Sequence, residues 1–247
     1  MLFRSSFVET ESFDMSDAEE EQVAEEEDTD AEVDSDDTAD DDSMEDDSDD
    51  DGDDTLPAAR SQDALKNRIV FVKNTKRGVH GAIMEGFAAS DAEAVIVYPA
   101  DDDLNAGILD PMMGLFRGGA DIVAPSRFMK GGCMVGCRWL KAALVRTAAF
   151  TLHFFAGLPT RDPTNGFRLF SSRVIRQIPV ESDSGFAFSI ELLVKTHRRG
   201  WKITELPSRW YERKKGKSRF KIFQWMPVYL RWYAYAFATA WAGKKQA

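Results

Sequence analysis

Three adjacent carboxylates, Asp101, Asp102 and Asp103, follow an apolar run in VIVYPADDDLN at positions 95–105. Like charges in a row repel one another, and a bound cation relieves that repulsion. Asp101 and Asp103 are two residues apart, so in an extended segment both side chains point the same way. That spacing suits two oxygen ligands on one hard divalent ion, Mg2+ or Mn2+. The competing reading is a solvated polar turn, since Asp and Asn are ordinary turn residues. Residues 95–98 lack alternation and read as a strand covered on both faces, which Pro99 ends. The C-terminal end of such a strand is where α/β sheets bind ligands.

The elements around this run are readable from pattern. NRIVFV at 67–72 predicts a short strand, and KNTKRGVHGAIMEGFAAS a loop entering a helix with Ala82, Ile83, Phe87 and Ala88 on its apolar side. With the strand at 95–98 this makes a β-loop-α-β unit, the building block of a parallel sheet. Residues 105–119 predict a helix ended by a glycine pair, and ADIVA at 120–124 a buried strand leading to a loop with Arg127 and Lys130. Residues 138–158 read as a long apolar helix, interrupted too early by Arg138, Lys141 and Arg146 for a clean membrane span. RDPTNGFRLFSSRVIRQI reads as a turn and a short helix, and FAFSIELLVKTHRRG as an amphipathic helix stopped by glycine. KITELPSRW is a strand ended by Pro207, and ERKKGKSRFK a basic loop. The segment 222–243 holds three of the six tryptophans and three of the five tyrosines. Aromatics beside a basic stretch suit a helix lying on a bilayer surface, and equally a core or dimer helix.

Charge divides the chain. Residues 1–60 hold 27 of the 42 acids and two bases, Arg4 and Arg60, a net charge of −25 against +14 for the rest. Blocks such as EEEQVAEEED have almost no apolar residues to offset the entropy of ordering, so 1–60 reads as a disordered acidic tail. A basic body permits nucleic-acid binding, but its bases are spread over several loops without a recognition helix or stacking motif, so no nucleic-acid partner is expected. Cys133 and Cys137 are too few for a structural zinc site, and the three histidines are scattered. Reduced cysteines in a cytosolic compartment are expected. MLFRSSFVETESF lacks the apolar core of a signal peptide.

Five motifs in order give the stretch from about Val70 to Tyr235 its likeness to known proteins. They are Asn74-Thr75-Lys76-Arg77-Gly78 with Gly81, Ala82 and Gly86; ADDDL; APSRF; RDPTNGFRLF; and ERKKGKSRF. Together they resemble the family 2 glycosyltransferases, nearest the polyprenyl- or dolichyl-phosphate sugar transferases. The resemblance implies a GT-A α/β fold with a mostly parallel sheet flanked by helices, over 67–221. It implies Asp101 and Asp103 at a metal and nucleotide-sugar site, with Gly78 on the nucleotide side. Ser126 and Arg127 stand in its small-Ser-Arg-aromatic motif, and Asp162 and Arg168 in its Asp-x-x-x-Gly-Phe-Arg motif. Arg213, Gly216, Ser218 and Arg219 stand in its Arg-x-x-Gly-x-Ser-Lys motif, with Arg219 where lysine is usual. The family's first strands, which help hold the nucleotide, have no recognisable counterpart, since the acidic tract lies in their place.

The chemistry fits the resemblance. A departing nucleoside diphosphate develops negative charge that a cation on Asp101 and Asp103 neutralises. Arg127, Arg213 and Arg219 are candidate phosphate donors, because guanidinium forks match phosphate oxygens. Gly216 and Ser218 let backbone and hydroxyl approach the same phosphates. A lipid phosphate acceptor is already anionic, whereas a sugar hydroxyl needs a general base, for which Asp162 is the candidate. Asp162 could equally orient the sugar or cap a turn, and Arg168 could anchor substrate or serve an ion pair. The expected enzyme is a hexosyltransferase, peripheral on the cytosolic membrane face, with a nucleoside diphosphate sugar and a lipid phosphate as partners. The alternative is an inactive remnant that binds membranes or partners.

Overall fold

The computed structural model describes residues 70, 72, 74–76, 78–99, 102, 104–212 and 222–242. Of the strand expected at 67–72 only residues 70 and 72 are described, neither of them in a strand, while 213–221 of the basic loop and the acidic stretch lie outside the described residues. Six helices and six strands are described: α1 Gly78–Ala89, β1 Ala94–Val97, α2 Leu109–Arg117 after a 3-10 turn, β2 Ile122–Ser126, β3 Cys133–Val135, α3 Trp139–Phe154, β4 Arg168–Ser171, α4 Ser172–Gln177, α5 Ala187–Arg198, β5 Ile203–Pro207, β6 Arg209–Tyr211 and α6 Ile222–Ala242.

The main sheet has the order β1-β4-β2-β5 and mixed pairing. β4 runs antiparallel to both β1 and β2, and β2 is parallel to β5. Three strands therefore share one direction and β4 opposes them. β3 and β6 form a separate two-stranded parallel sheet. Successive residues point to opposite faces of a strand. In β2 and β4, Ile122 and Phe170 accordingly join one core cluster with Leu152, Phe188 and Leu192, while Val123 and Leu169 join a second with Met112, Phe167 and Leu206. The result is an α/β layering with helices on both faces.

Four local expectations change. RDPTNGFRLF does not run from turn to helix directly, because Arg168–Ser171 forms the buried central strand β4. Four residues between a turn and a capped helix leave too short a window for periodicity to register. GGCMVG contains β3. The long helix expected over 138–158 closes at Phe154. The helix read as amphipathic, α5, is buried on every side from Ala187 to Thr196, where its side chains share a core with Ile122, Phe170 and Ile203 of the sheet and with Trp232 and Ala236 of α6. Its Glu191 survives burial by accepting the backbone N–H groups of Glu181 and Ser182 at 2.6 and 2.8 Å and the Lys195 ammonium at 2.6 Å.

α6 has one face in the core and another turned to solvent. Its inner face is core, with Trp232 and Ala236 buried against the larger cluster. Arg198 ties it to α5 through Thr239 Oγ1 and the Ala236 carbonyl, both at 2.9 Å. Leu230 and Tyr235 face out, and Arg231 pairs with Glu181 at 3.0 Å.

Candidate active site

Strand register brings the motifs to one edge of the sheet. Val97, the last residue of β1, pairs with Arg168, the first of β4, and Ser126 at the end of β2 pairs with Pro207 at the end of β5. ADDDL leaves β1, SRF leaves β2, DPTNG enters β4, and β6 follows β5 on that same edge. Pro125 lies inside β2, yet β4 pairs only with Ile122 and Val123. The proline therefore meets no ladder partner on that side, and its carbonyl accepts from Asn165 Nδ2 at 2.9 Å.

Arg127 and Asp162 form the centre of this edge. Arg127 donates from Nε to Asp162 Oδ2 at 2.6 Å, from Nη2 to Oδ1 at 2.9 Å, and from its backbone N–H to Oδ2 at 3.0 Å. Thr164 Oγ1 donates to Asp162 Oδ1 and accepts from Arg127 Nη2, both at 3.2 Å. Asp162 is fully buried. Burial acts to lower the Arg127 pKa, but the hydrogen bond and charge of Asp162 outweigh it and hold that pKa above its ordinary value. Both Asp162 oxygens are engaged within the protein. That arrangement suits orienting Arg127 and the turn at 160–166 better than accepting a proton.

Arg168 is wholly buried and donates to three carbonyls: Ser189 at 2.5 Å, Pro163 at 2.7 Å and Asp162 at 3.2 Å. Burial pulls its pKa down to about 10, against the opposing charge of Asp162. It therefore braces the turn from beneath instead of meeting a ligand from solvent. Ser126 is buried, its hydroxyl accepting from the Phe128 N–H at 3.4 Å. Gly132 closes the loop after Arg127 against it. A Cβ there would lie 2.4 Å from the Ser126 carbonyl oxygen. Gly78 opens α1 with φ +78°, a left-handed conformation that glycine adopts without strain.

At the acidic loop, Asp102 Oδ1 accepts the N–H groups of Leu104 and Asn105 at 3.1 and 3.0 Å, and Oδ2 accepts Asn105 Nδ2 at 2.7 Å. The middle carboxylate is thus used up in shaping the turn. Asp101, Asp103, Arg213, Gly216, Ser218 and Arg219 lie outside the described residues. Among the described residues no group of three or more His, Cys, Asp or Glu side chains could hold a metal ion.

Residues 39–179 match the model of glycosyl transferase family 2. The chain belongs to that family. The match reaches upstream of Val70, into the acidic stretch, and nothing in the comparisons favours an inactive remnant. The chain is 26% identical over 171 residues to polyprenol monophosphomannose synthase of Mycolicibacterium smegmatis, covering 63% of this chain and 64% of that protein. It is 24% identical over 186 residues to dolichol-phosphate mannosyltransferase of Pyrococcus furiosus, covering 72% and 51%. It is 26% identical over 155 residues to undecaprenyl-phosphate mannosyltransferase of Micrococcus luteus, covering 61% and 63%. The chain thus spans less than two thirds of the length of each of these relatives. Among solved structures, glucosyl-3-phosphoglycerate synthase from Mycobacterium tuberculosis in complex with uridine-diphosphate is similar at 19% identity and a TM-score of 0.48, over 74% of this chain and 65% of that one.

Within this family 2 chain, the site also uses residues that motif reading passed over. Thr164 lies inside RDPTNGFRLF but carries no charge to draw notice. Asn105 closes VIVYPADDDLN, and turn chemistry alone accounts for its presence there. The tie between Lys141 and Glu212 at 3.2 Å joins α3 to the start of the basic segment, a pairing 71 residues apart that no local pattern signals.

Proposed function

We propose that this chain transfers a hexosyl group from a nucleoside diphosphate sugar to a polyprenyl or dolichyl phosphate. The observation that supports the reading is that the end of β1, which ADDDL follows, lies at the same edge of the sheet as SRF and DPTNG, in a chain of glycosyl transferase family 2. The names of the relatives, which specify polyprenol, dolichol and undecaprenyl phosphates, support the acceptor class.

In this reading Asp101 and Asp103 hold Mg2+ or Mn2+, and Asp102 is kept out by its bonds to Leu104 and Asn105. The cation supplies charge neutralisation at the departing diphosphate. Arg127 and Asp162 act as a pair that fixes the loop beside the sugar, and Arg168 supports it from the core. Gly78 leaves room at the start of α1, Ser126 shapes the loop, and Arg213, Gly216, Ser218 and Arg219 receive phosphate. The acceptor is already an anion, so no protein base is required to generate the nucleophile.

The acceptor class also calls for a lipid-facing surface. α3 turns Trp139, Leu140, Leu144, Phe150 and Phe154 to solvent, Trp139 at 80% and Phe154 at 64% exposure, with Arg138 and Arg146 exposed beside them. Apolar side chains flanked by cations suit a peripheral seat on an anionic leaflet. Among the described residues no helix is long and apolar enough to cross a membrane. Calorimetric titration of the full chain with UDP and GDP in Mn2+ tests the donor half. Binding tighter than about 1 mM, roughly −4 kcal/mol, that is lost on Asp103→Ala supports the reading. Absence of binding to either nucleotide counts against it.

A further inference from the structure

We infer that Asn105 is a positioning residue that locks the ADDDL loop to strand β6, and through it to the basic segment that follows. The inference deepens the proposed transfer reaction and rests on that reading for its catalytic consequence, but its structural part stands alone.

Asn105 is 4% exposed and bridges two parts of the chain 104 residues apart. Its Oδ1 accepts the Arg209 N–H at 2.9 Å, and its Nδ2 donates to the Arg209 carbonyl at 2.7 Å. One side-chain amide thus meets both backbone groups of Arg209, as a neighbouring strand would. The same Nδ2 donates to Asp102 Oδ2 at 2.7 Å, and the Asn105 N–H donates to Asp102 Oδ1. Asp102 sits between the two carboxylates assigned to the donor side, and its carbonyl takes the Tyr98 hydroxyl.

The position demands a donor and an acceptor on separate atoms, one for each backbone group of Arg209, which the Asn amide provides and a Ser or Thr hydroxyl, with both functions on one oxygen, does not. Alanine leaves the Arg209 N–H and carbonyl without partners. Aspartate keeps the acceptor, but sets a second carboxylate against Asp102 and against the Arg209 carbonyl. β6 is otherwise held on its far side by β3, where the Glu212 N–H donates to Val135 O at 2.9 Å. ERKKGKSRF begins at Glu212, three residues beyond Arg209. Asn105 therefore sets the spacing between the loop that follows β1 and strand β6, which leads in sequence into ERKKGKSRF.

Residue-resolved amide hydrogen exchange on the full chain tests the lock without any need for activity. In Asn105→Ala the Arg209 amide should exchange at least about tenfold faster, with the amides of Ile122, Val123 and Ala124 unchanged as the measure of an intact fold. Asn105→Asp should accelerate it as well, and adding Asp102→Asn in that background should slow it again by returning a donor to face the new carboxylate. Unchanged Arg209 exchange, acceleration shared equally by β2, or failure of the double variant to recover would each overturn the lock. Sugar transfer then tests its consequence. Asn105→Ala should lower kcat about tenfold with donor KM within about twofold of the wild type. An unchanged kcat overturns the catalytic role. A wild-type chain that transfers no sugar defeats the proposed function and leaves the exchange result to decide the lock.

Discussion

The guanidinium of Arg127 and the carboxylate of Asp162 face each other in two parallel contacts, at 2.6 and 2.9 Å, with the carboxylate shut from solvent. Removing one member of such a pair strands a buried charge, at a cost of about 3–5 kcal/mol. Asp162→Ala should therefore lower stability by about that amount in urea unfolding. The double replacement Arg127→Met with Asp162→Leu should cost less than either single change, because no charge is left unpaired. Near-additive losses would show that the two side chains do not act as a pair.

Gly132 and Gly86 make a matched comparison. A Cβ at Gly132 meets the Ser126 oxygen at 2.4 Å and the Arg127 carbonyl carbon at 3.0 Å, whereas at Gly86 nothing lies within 4 Å. Gly132→Ala should destabilise by about 1–3 kcal/mol and shift Arg127. Gly86→Ala, inside α1, should stabilise by about 0.5–1 kcal/mol. Thermal melts of the two variants check both signs.

The sequence announced its strands where apolar runs were long and bounded, as at 95–98 and 120–124. It hid β4, whose four residues sit between a turn and a helix and pair only with distant strands. It also hid the burial of α5, since Ser189, Glu191, Lys195 and Thr196 read as a polar face until their partners in the folded chain are known. The motif residues were legible as types, because Asp, Arg and Gly at fixed spacings carry chemistry. Their pairing was not. Nothing local connects Arg127 with Asp162, or Asn105 with Arg209, since both contacts arise from strand register.

Two histidines should make the fold's stability depend on pH. Burial lowers the pKa of His80, aided by Lys76 and opposed by Asp183 and Glu191, and burial with Arg198 lowers that of His197. The unfolded chain takes up these protons near pH 6.5, while the folded chain holds both rings neutral to lower pH. Their contribution to stability is complete above about pH 6.5 and is lost as pH falls through the folded pKa values. His80→Gln should flatten part of the decline in urea midpoint between about pH 7.5 and 5.5. An unchanged slope would place the titration elsewhere.

The exposed face of α3 predicts lipid binding. The chain should float with anionic vesicles, and Phe150→Glu with Phe154→Glu should return it to the soluble fraction without lowering the melting temperature. Added salt should weaken flotation, because Arg138 and Arg146 share the attraction. Equal flotation of wild type and variant would assign the contact to another surface.

The central claim is sugar transfer to a lipid phosphate, and label transfer tests it most directly. The full chain is incubated with labelled GDP- and UDP-hexoses, Mn2+ and vesicles containing polyprenyl phosphate, and the label entering the organic phase is counted. The account predicts label from one of these donors with the wild type, reduced at least a hundredfold, about 2.7 kcal/mol, in Asp103→Ala. No organic-phase label from any donor, or equal label from Asp103→Ala, would contradict it.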